Sequence, residues 1–255
     1  MDIAIVTGAS SGLGWEFVRQ IDERYSLDEI WVVARREERL QDLSELVETP
    51  LRIFPLDLSA QESIQSIEQA LKRATPHLKI LVNNAGFGKR GTFQSIGLDS
   101  QLQMIDLNIR ALVHLTYICI DYMDSGDQII QLASSAGFLP IPNFTTYAAS
   151  KAFVIHFSNG LAAELQQKGI TVTAVCPGPV NTEFQKVAHE NGPGEFNAIA
   201  PGAAPVVSKA LRNAAGKRWF SLYGWYIKLL VFIVRLLPKK TLAKLSIRFN
   251  AKRFE

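Results

Sequence analysis

Six short apolar runs alternating with five segments of helical periodicity, and a glycine-rich turn directly after the first run, predict a doubly wound, mostly parallel α/β sheet with helices on both faces. Runs this short and this apolar suit strands buried on both sides. A length of 255 residues, 47% hydrophobic and 20% charged, fits one large domain with a substantial core.

The elements follow in order. Strand Ile3–Thr7 leads to helix Leu13–Tyr25, Glu29–Val33 to Glu37–Leu46, and Leu51–Asp57 to Gln61–Ala74. Strand Ile80–Asn83 then leads to helix Leu102–Met123, Gln128–Leu132 to Ala148–Gln167, and Thr171–Cys176 closes the series. Short connections between such units call for one doubly wound, mostly parallel sheet covered by helices on both faces. Glu183–Pro205, rich in Gly, Pro and Asn, reads as a mobile loop after strand six. A last strand near Arg218–Tyr223 brings the sheet to about seven. No linker, repeat or low-complexity tract divides the chain, so residues 1–223 form the body and 224–255 a helical extension of the same domain.

Composition narrows the function. The chain opens on its first strand without a basic leader or cleavage site, and Cys119 and Cys176 lie in apolar segments rather than in a disulfide framework or redox motif. A cytoplasmic, reducing setting is expected. The four histidines, His77, His114, His156 and His189, lack metal-ligand spacing, so no metal is assigned. The net charge is +3, but residues 217–255 carry ten Lys/Arg against one acid, leaving −6 for the first 216 residues. An acidic body argues against nucleic-acid binding.

Three patterns carry chemistry. The turn Thr7-Gly8-Ala9-Ser10-Ser11-Gly12-Leu13-Gly14 stands between strand and helix, where a pyrophosphate can approach backbone N–H groups and a helix N-terminus. Gly8 suits the tight turn, Gly12 a close backbone approach, and Gly14 close packing of helix on sheet. The second strand ends in Ala34-Arg35-Arg36 with no acid to accept from a ribose 2′-hydroxyl, and arginines there pair with a 2′-phosphate, so NADP(H) is preferred and NAD(H) possible. Third, Tyr147 and Lys151 stand four apart on one helical face, with Ser134 thirteen residues upstream. An ammonium beside a phenol favours the phenolate, so the Tyr147 pKa is expected to fall toward neutrality.

In ordered combination these residues resemble the short-chain dehydrogenase/reductases, single-domain enzymes of Rossmann type. The resemblance runs from Thr7 to Thr182. It covers the glycine turn, Asp57-Leu58, Asn83-Asn84-Ala85-Gly86, Asn108, Ser134, Tyr147, Lys151, Pro177-Gly178 and Thr182. It implies that Tyr147 is the acid/base of hydride transfer, that Lys151 lowers its pKa and binds the nicotinamide ribose, and that Ser134 rather than Ser135 holds the substrate oxygen. It further implies that Asn108 stabilises a helix distortion and holds a water linking Lys151 to solvent. Gly8, Ser10, Ser11, Gly12, Leu13 and Gly14 would cradle the cofactor, with Arg35 and Arg36 at its 2′-position. Asp57 and Leu58 would meet adenine, and Asn84, Ala85 and Gly86 the adenine ribose. Pro177, Gly178, Val180 and Thr182 would fix the nicotinamide carboxamide.

The same resemblance implies an alcohol/carbonyl oxidoreductase acting on a small molecule, forming a homodimer or homotetramer through its two long helices. Glu183–Pro205 would be the substrate lid, with Phe184, Val187, Phe196 and Ile199 toward the substrate. Two alternatives stand beside this: a non-catalytic NADP(H)-binding regulator, and a membrane-peripheral scaffold using the basic tail. That tail, Gly224–Pro238 and beyond, is too interrupted by Lys228 and Arg235 to span a bilayer. It either packs over the active site or a subunit interface, lies in a membrane surface, or serves as a basic arm for another polyanion. Its apolar character points to a lipophilic carbonyl or alcohol.

Overall fold

In the computed structural model, which describes residues 1–188 and 200–251, seven parallel strands form one sheet in the order β3-β2-β1-β4-β5-β6-β7. These are β1 (Asp2–Thr7), β2 (Glu29–Val33), β3 (Leu51–Phe54), β4 (His77–Asn83), β5 (Gln128–Leu132), β6 (Thr171–Val175) and β7 (Phe220–Ser221). The order reverses between β1 and β4, and their carboxyl ends open the crevice where a doubly wound sheet binds its ligand.

Alternation along the strands assigns the two faces. Ile3 and Ile5 of β1 point to one side, where α3 (Gln61–Ala74), α5 (Leu112–Cys119) and α6 (Thr145–Leu165) cover them with Ile64, Ile67, Leu115 and Leu165. Ala4 and Val6 point to the other, under Phe17 and Ile21 of α1 (Gly12–Asp22), Leu40 and Leu43 of α2 (Glu37–Ser44), and Val207 and Leu211 of α8 (Ala203–Ala215). Each fully buried Ile, Val, Leu or Phe among these contributes roughly 1.5–3 kcal/mol.

Three expectations are corrected. β3 stops at Phe54 rather than Asp57, because Pro55 has no N–H to offer the ladder. The helix expected over 102–123 begins earlier, as α4 (Leu98–Ile105), and passes through a π turn at Asp106–Ala111 before α5. That turn is held by Asn108, whose side chain bonds outside its own helix. Glu183–Pro205 is not loop throughout. α7 (Phe184–Ala188) forms near its start and α8 begins at Ala203, with Pro205 in the first turn, where its missing N–H has no helical partner to lose. Residues 189–199, including Phe196 and Ile199 of the expected lid, lie outside the described residues.

The chain continues as α9 (Trp225–Leu236) and α10 (Lys239–Ala251). Ile227, Val231 and Val234 of α9 and Leu242 of α10 are buried against Leu112, Ala133, Phe138 and Cys176. Among the described residues no helix is long and apolar enough to cross a membrane.

At the end of the sheet away from the crevice, His77 bridges two carboxylates. Its Nδ1 lies 2.9 Å from Asp2 Oδ1 and its Nε2 2.9 Å from Asp127 Oδ2, with Asp124 at 3.9 Å. Lys79 Nζ sits 2.5 Å from the second oxygen of Asp2. Burial pulls the His77 pKa down, but its bonds to Asp2 and Asp127 outweigh that and raise it above the ordinary 6.5. A pKa raised on folding contributes stability below the unfolded value and loses it as pH rises through the folded one. His77→Gln should therefore lower Tm near pH 6, and the deficit should shrink steadily toward pH 9; calorimetric scans across that range check it.

Candidate active site

The crevice is shaped by a backbone staple. Thr7 Oγ1 accepts from the N–H groups of Asn84 and Ala85, both at 3.0 Å, and donates to the Val82 carbonyl at 3.3 Å. Asn84 Nδ2 returns to the carbonyls of Thr7 at 2.9 Å and Gly8 at 3.2 Å. Gly8 has φ +67, and a Cβ there would stand 2.7 Å from Asn84 Nδ2. Conformation and space both require glycine at that position. Gly14 is closed off too: a Cβ on it would run into the Gly8 carbonyl, so this residue packs α1 on the turn and does not line the crevice.

From that turn a cavity of about 640 Å³ runs along the carboxyl ends of β1, β4, β5 and β6. Among the described residues, every candidate catalytic or cofactor-binding residue lines it except Gly14 and Asn108. At one end lie Arg35 and Arg36, Ser10 and Asp57; at the other lie Ser134, Tyr147 and Lys151 beneath an apolar wall of Leu139, Ile141, Phe144, Phe184 and Val187.

At the first end, both arginines have carboxylate neighbours. Arg35 Nη1 lies 3.8 Å from Asp57, whose carboxyl Ser59 also binds through N–H at 3.0 Å and hydroxyl at 2.7 Å. Burial pushes the Asp57 pKa up, but Ser59 and Arg35 more than offset this and hold it below the ordinary carboxylate value. Arg36 binds Ser10 Oγ at 3.2 Å and the Ser10 carbonyl at 3.3 Å, and it pairs with Glu183 at 2.9 Å. Glu183 also bonds Ser11 and is itself held below its ordinary value despite burial. Sequence reasoning used Glu183 only as a lid boundary. Its ion pair with Arg36 joins segments 147 positions apart, which no local pattern announces.

At the second end, α6 brings Tyr147 and Lys151 onto one buried face. Tyr147 stacks on Phe144, ring centroids 4.3 Å apart, and tilts against Phe184 at 5.4 Å. Its pKa moves opposite to the expectation. Burial pushes it up to about 12, against a hydrogen bond from Ser134 and the charge of Arg90. Lys151 does not counter this. Its Nζ donates to the Leu132 carbonyl at 2.6 Å and lies 5.8 Å from the Tyr147 ring centroid, and burial draws its own pKa down to about 8. Desolvation wins over the i, i+4 attraction because both groups are buried together.

Ser134 Oγ accepts from the Ala136 N–H at 3.1 Å, which fixes the hydroxyl toward the cavity, whereas Ser135 is tied through its own N–H to the Pro177 carbonyl at 2.9 Å. Asn108 stands behind the cavity. Its Oδ1 accepts from the Phe87 N–H at 3.1 Å, and its Nδ2 donates to the Phe87 carbonyl and to Ser150 Oγ, both at 3.0 Å. Ser150 in turn donates to the Tyr147 carbonyl at 2.8 Å. Asn108 thereby locks the loop after β4 to the helix carrying Tyr147. The Arg90 guanidinium, not anticipated from the sequence, lies over the Phe144 ring at 4.4 Å, and the Arg90 backbone N–H donates to the Ala188 carbonyl at 3.0 Å, joining this loop to α7.

The profile of the family described as short chain dehydrogenase matches residues 2–192. Sulfoacetaldehyde reductase 2 of Chromohalobacter salexigens is 38% identical over 193 residues, 73% of this chain and 75% of that protein. A short-chain dehydrogenase from Sphingobium yanoikuyae, solved in complex with NADPH, superposes with a TM-score of 0.80 at 25% identity over 92% of each chain. The bulky-bulky ketone specific alcohol dehydrogenase of Comamonas testosteroni superposes at 0.75 with 26% identity, again over 92% of each chain.

Removing the Asn108 amide leaves the Phe87 backbone and Ser150 without their buried partner, a loss of about 1–3 kcal/mol per stranded group. Asn108→Ala should lower Tm accordingly while far-UV circular dichroism stays unchanged; an unchanged Tm would show that this lock contributes nothing.

Proposed function

This chain belongs to the short-chain dehydrogenase family, and from that premise we propose that it interconverts a lipophilic carbonyl compound and its alcohol using NADP(H). The observation that carries the reading is the meeting of Ser134, Tyr147 and Lys151 under an apolar wall, at the far end of a cavity that starts at a glycine-rich turn. The cavity's size, the glycine-lined turn and the two guanidinium groups at its other end suit a dinucleotide phosphate.

Bound there, the nicotinamide supplies or accepts the hydride. The protein's own groups manage the proton and the charge. A phenol held near pKa 12 is fully protonated at neutral pH, and this is the form that carbonyl reduction consumes. Ser134, already bonded to Tyr147, is placed to donate to the same substrate oxygen as charge develops on it. Lys151, with a pKa near 8, is chiefly cationic at neutral pH, its Nζ held by the Leu132 carbonyl beside the site. Leu139, Ile141 and Phe184 exclude water and favour an apolar substituent on the substrate.

Two guanidinium groups with no acid at the end of β2 support NADP(H) over NAD(H), with NAD(H) as the weaker cofactor. The relative from Sphingobium, which holds NADPH, supports the same preference. Exposed Leu102, Ile105, Tyr117 and Phe153 on α4, α5 and α6 support a homodimer or homotetramer through the long helices. Two free, buried cysteines suit a reducing, intracellular setting.

Tyr147→Phe should cut reduction of an aryl or long-chain ketone by 10²-fold or more, the usual range for a lost general acid, with NADPH affinity kept. Turnover retained in that variant would remove Tyr147 from the chemistry. Arg36→Ala should weaken NADPH binding about tenfold and NADH binding little, since a hydrogen bond to a charged group contributes at least about 1.5 kcal/mol. Equal losses for the two cofactors, measured by fluorescence titration, would end the assignment of Arg36 to the 2′-phosphate.

A further inference from the structure

The helix α9 is apolar on two opposite sides. Ile227, Val231 and Val234 face inward, and Ile227 reaches the cavity loop itself: a Cβ on Gly178 would stand 2.5 Å from Ile227 Cδ1. On the other side Trp225, Leu229, Phe232 and Leu236, spaced four, three and four residues, form one stripe with exposures of 77%, 49%, 64% and 70%. Tyr226, Leu230 and Ile233 widen it on one flank and are themselves exposed. Lys228 and Arg235 mark the other flank, Arg235 stacked over Phe138 and Phe220; beyond Pro238 come Lys240 and Lys244, whereas Lys239 Nζ donates to the Phe138 carbonyl at 3.2 Å. A surface helix of a monomer in water keeps its outer face polar. This one does not.

We propose that the outer face of α9 is a membrane-docking surface that lies in the plane of an anionic bilayer, with the stripe in the acyl boundary and the lysines among the headgroups. Three observations select this occupant. At about 1.5 Å per residue the 12-residue helix is roughly 18 Å long, too short to span ~30 Å of hydrocarbon but suited to lying flat. Trp225 and Tyr226 stand at its start, as amphipathic rings do at an interface. Charge decides between lipid and a second copy. Residues 217–255 carry ten cations and one acid, so a two-fold contact through this face would bring two basic segments together, whereas an anionic surface complements them. The inference stands apart from the reaction catalysed, and it places the docking helix directly behind Gly178, beside a cavity whose substrate end is apolar.

The test uses the full chain with phosphatidylcholine vesicles, with and without phosphatidylglycerol. The protein should sediment with the anionic vesicles and lose at least tenfold in partitioning when phosphatidylglycerol is omitted or salt is raised. Trp225 emission should shift to the blue on binding, a change absent from Trp225→Phe. Phe232→Glu combined with Leu236→Glu, which alters only exposed positions, should abolish partitioning with Tm and cofactor affinity unchanged. No sedimentation with anionic vesicles overturns the proposal. So does partitioning that the double variant leaves intact, since a basic arm alone would then be responsible. Light scattering that shows the double variant breaking an oligomer, with vesicle binding retained, also overturns it and assigns the face to a second copy.

Discussion

Everything at the candidate site hangs on the side-by-side parallel alignment of β1 and β4. Their carboxyl ends are the point where the winding of the sheet reverses, and Thr7 and Asn84 lock them through hydrogen bonds to one another's backbones. Without that lock the N–H and C=O groups just past two central strands would be buried without partners, a cost large enough to reshape the turn. With it, the glycine turn is held open on one side and the segment from Asn84 to Gly88 on the other. Asn108 extends the same locking to α6, so the helix carrying Tyr147 and Lys151 is positioned against β4 through Phe87 and Ser150.

Within that frame the chemistry is governed by desolvation. Tyr147 is walled by Phe144 and Phe184, and Lys151 is buried beneath the end of β5. Each loses water that its charged form needs, so the phenol climbs toward 12 and the ammonium falls toward 8. These shifts converge on a proton kept on the tyrosine at neutral pH and a lysine whose charge is readily exchanged. The first end of the cavity is managed differently. There the guanidinium groups remain partly exposed and are paired with Asp57 and Glu183, exposed pairs of low individual value. Because Glu183 adjoins Thr182 and Phe184, the same pair links the arginine end of the cavity to the segment that covers Tyr147.

The C-terminal helices add a second constraint. A helix that must pack Ile227, Val231 and Val234 on the core has one face committed, and the apolar stripe on its other face is exposed among the described residues. Packing on the inner face fixes the direction in which the outer one points.

The amino-acid sequence by itself determined the sheet, the order of its elements and the glycine turn, which rest on short-range signals: strand and helix periods and the residues that punctuate turns. It also singled out Tyr147 and Lys151 by a four-residue spacing and, through the family resemblance, Ser134; the fold brings all three to one end of the cavity. It misjudged what depends on distant neighbours. Pro55 ended a strand early by a local rule that apolarity masked, whereas the π turn needed Phe87 and Ser150 to come to Asn108 from other segments. The Tyr147 pKa was expected to fall because spacing shows the lysine but not the burial, and tertiary packing set the balance the other way. Glu183 and Arg90 entered the site only because the chain from α7 folds back over the crevice. Which side of α9 faces inward was likewise unreadable, since a helix apolar on two opposite sides gives no preferred face until the core it packs against exists.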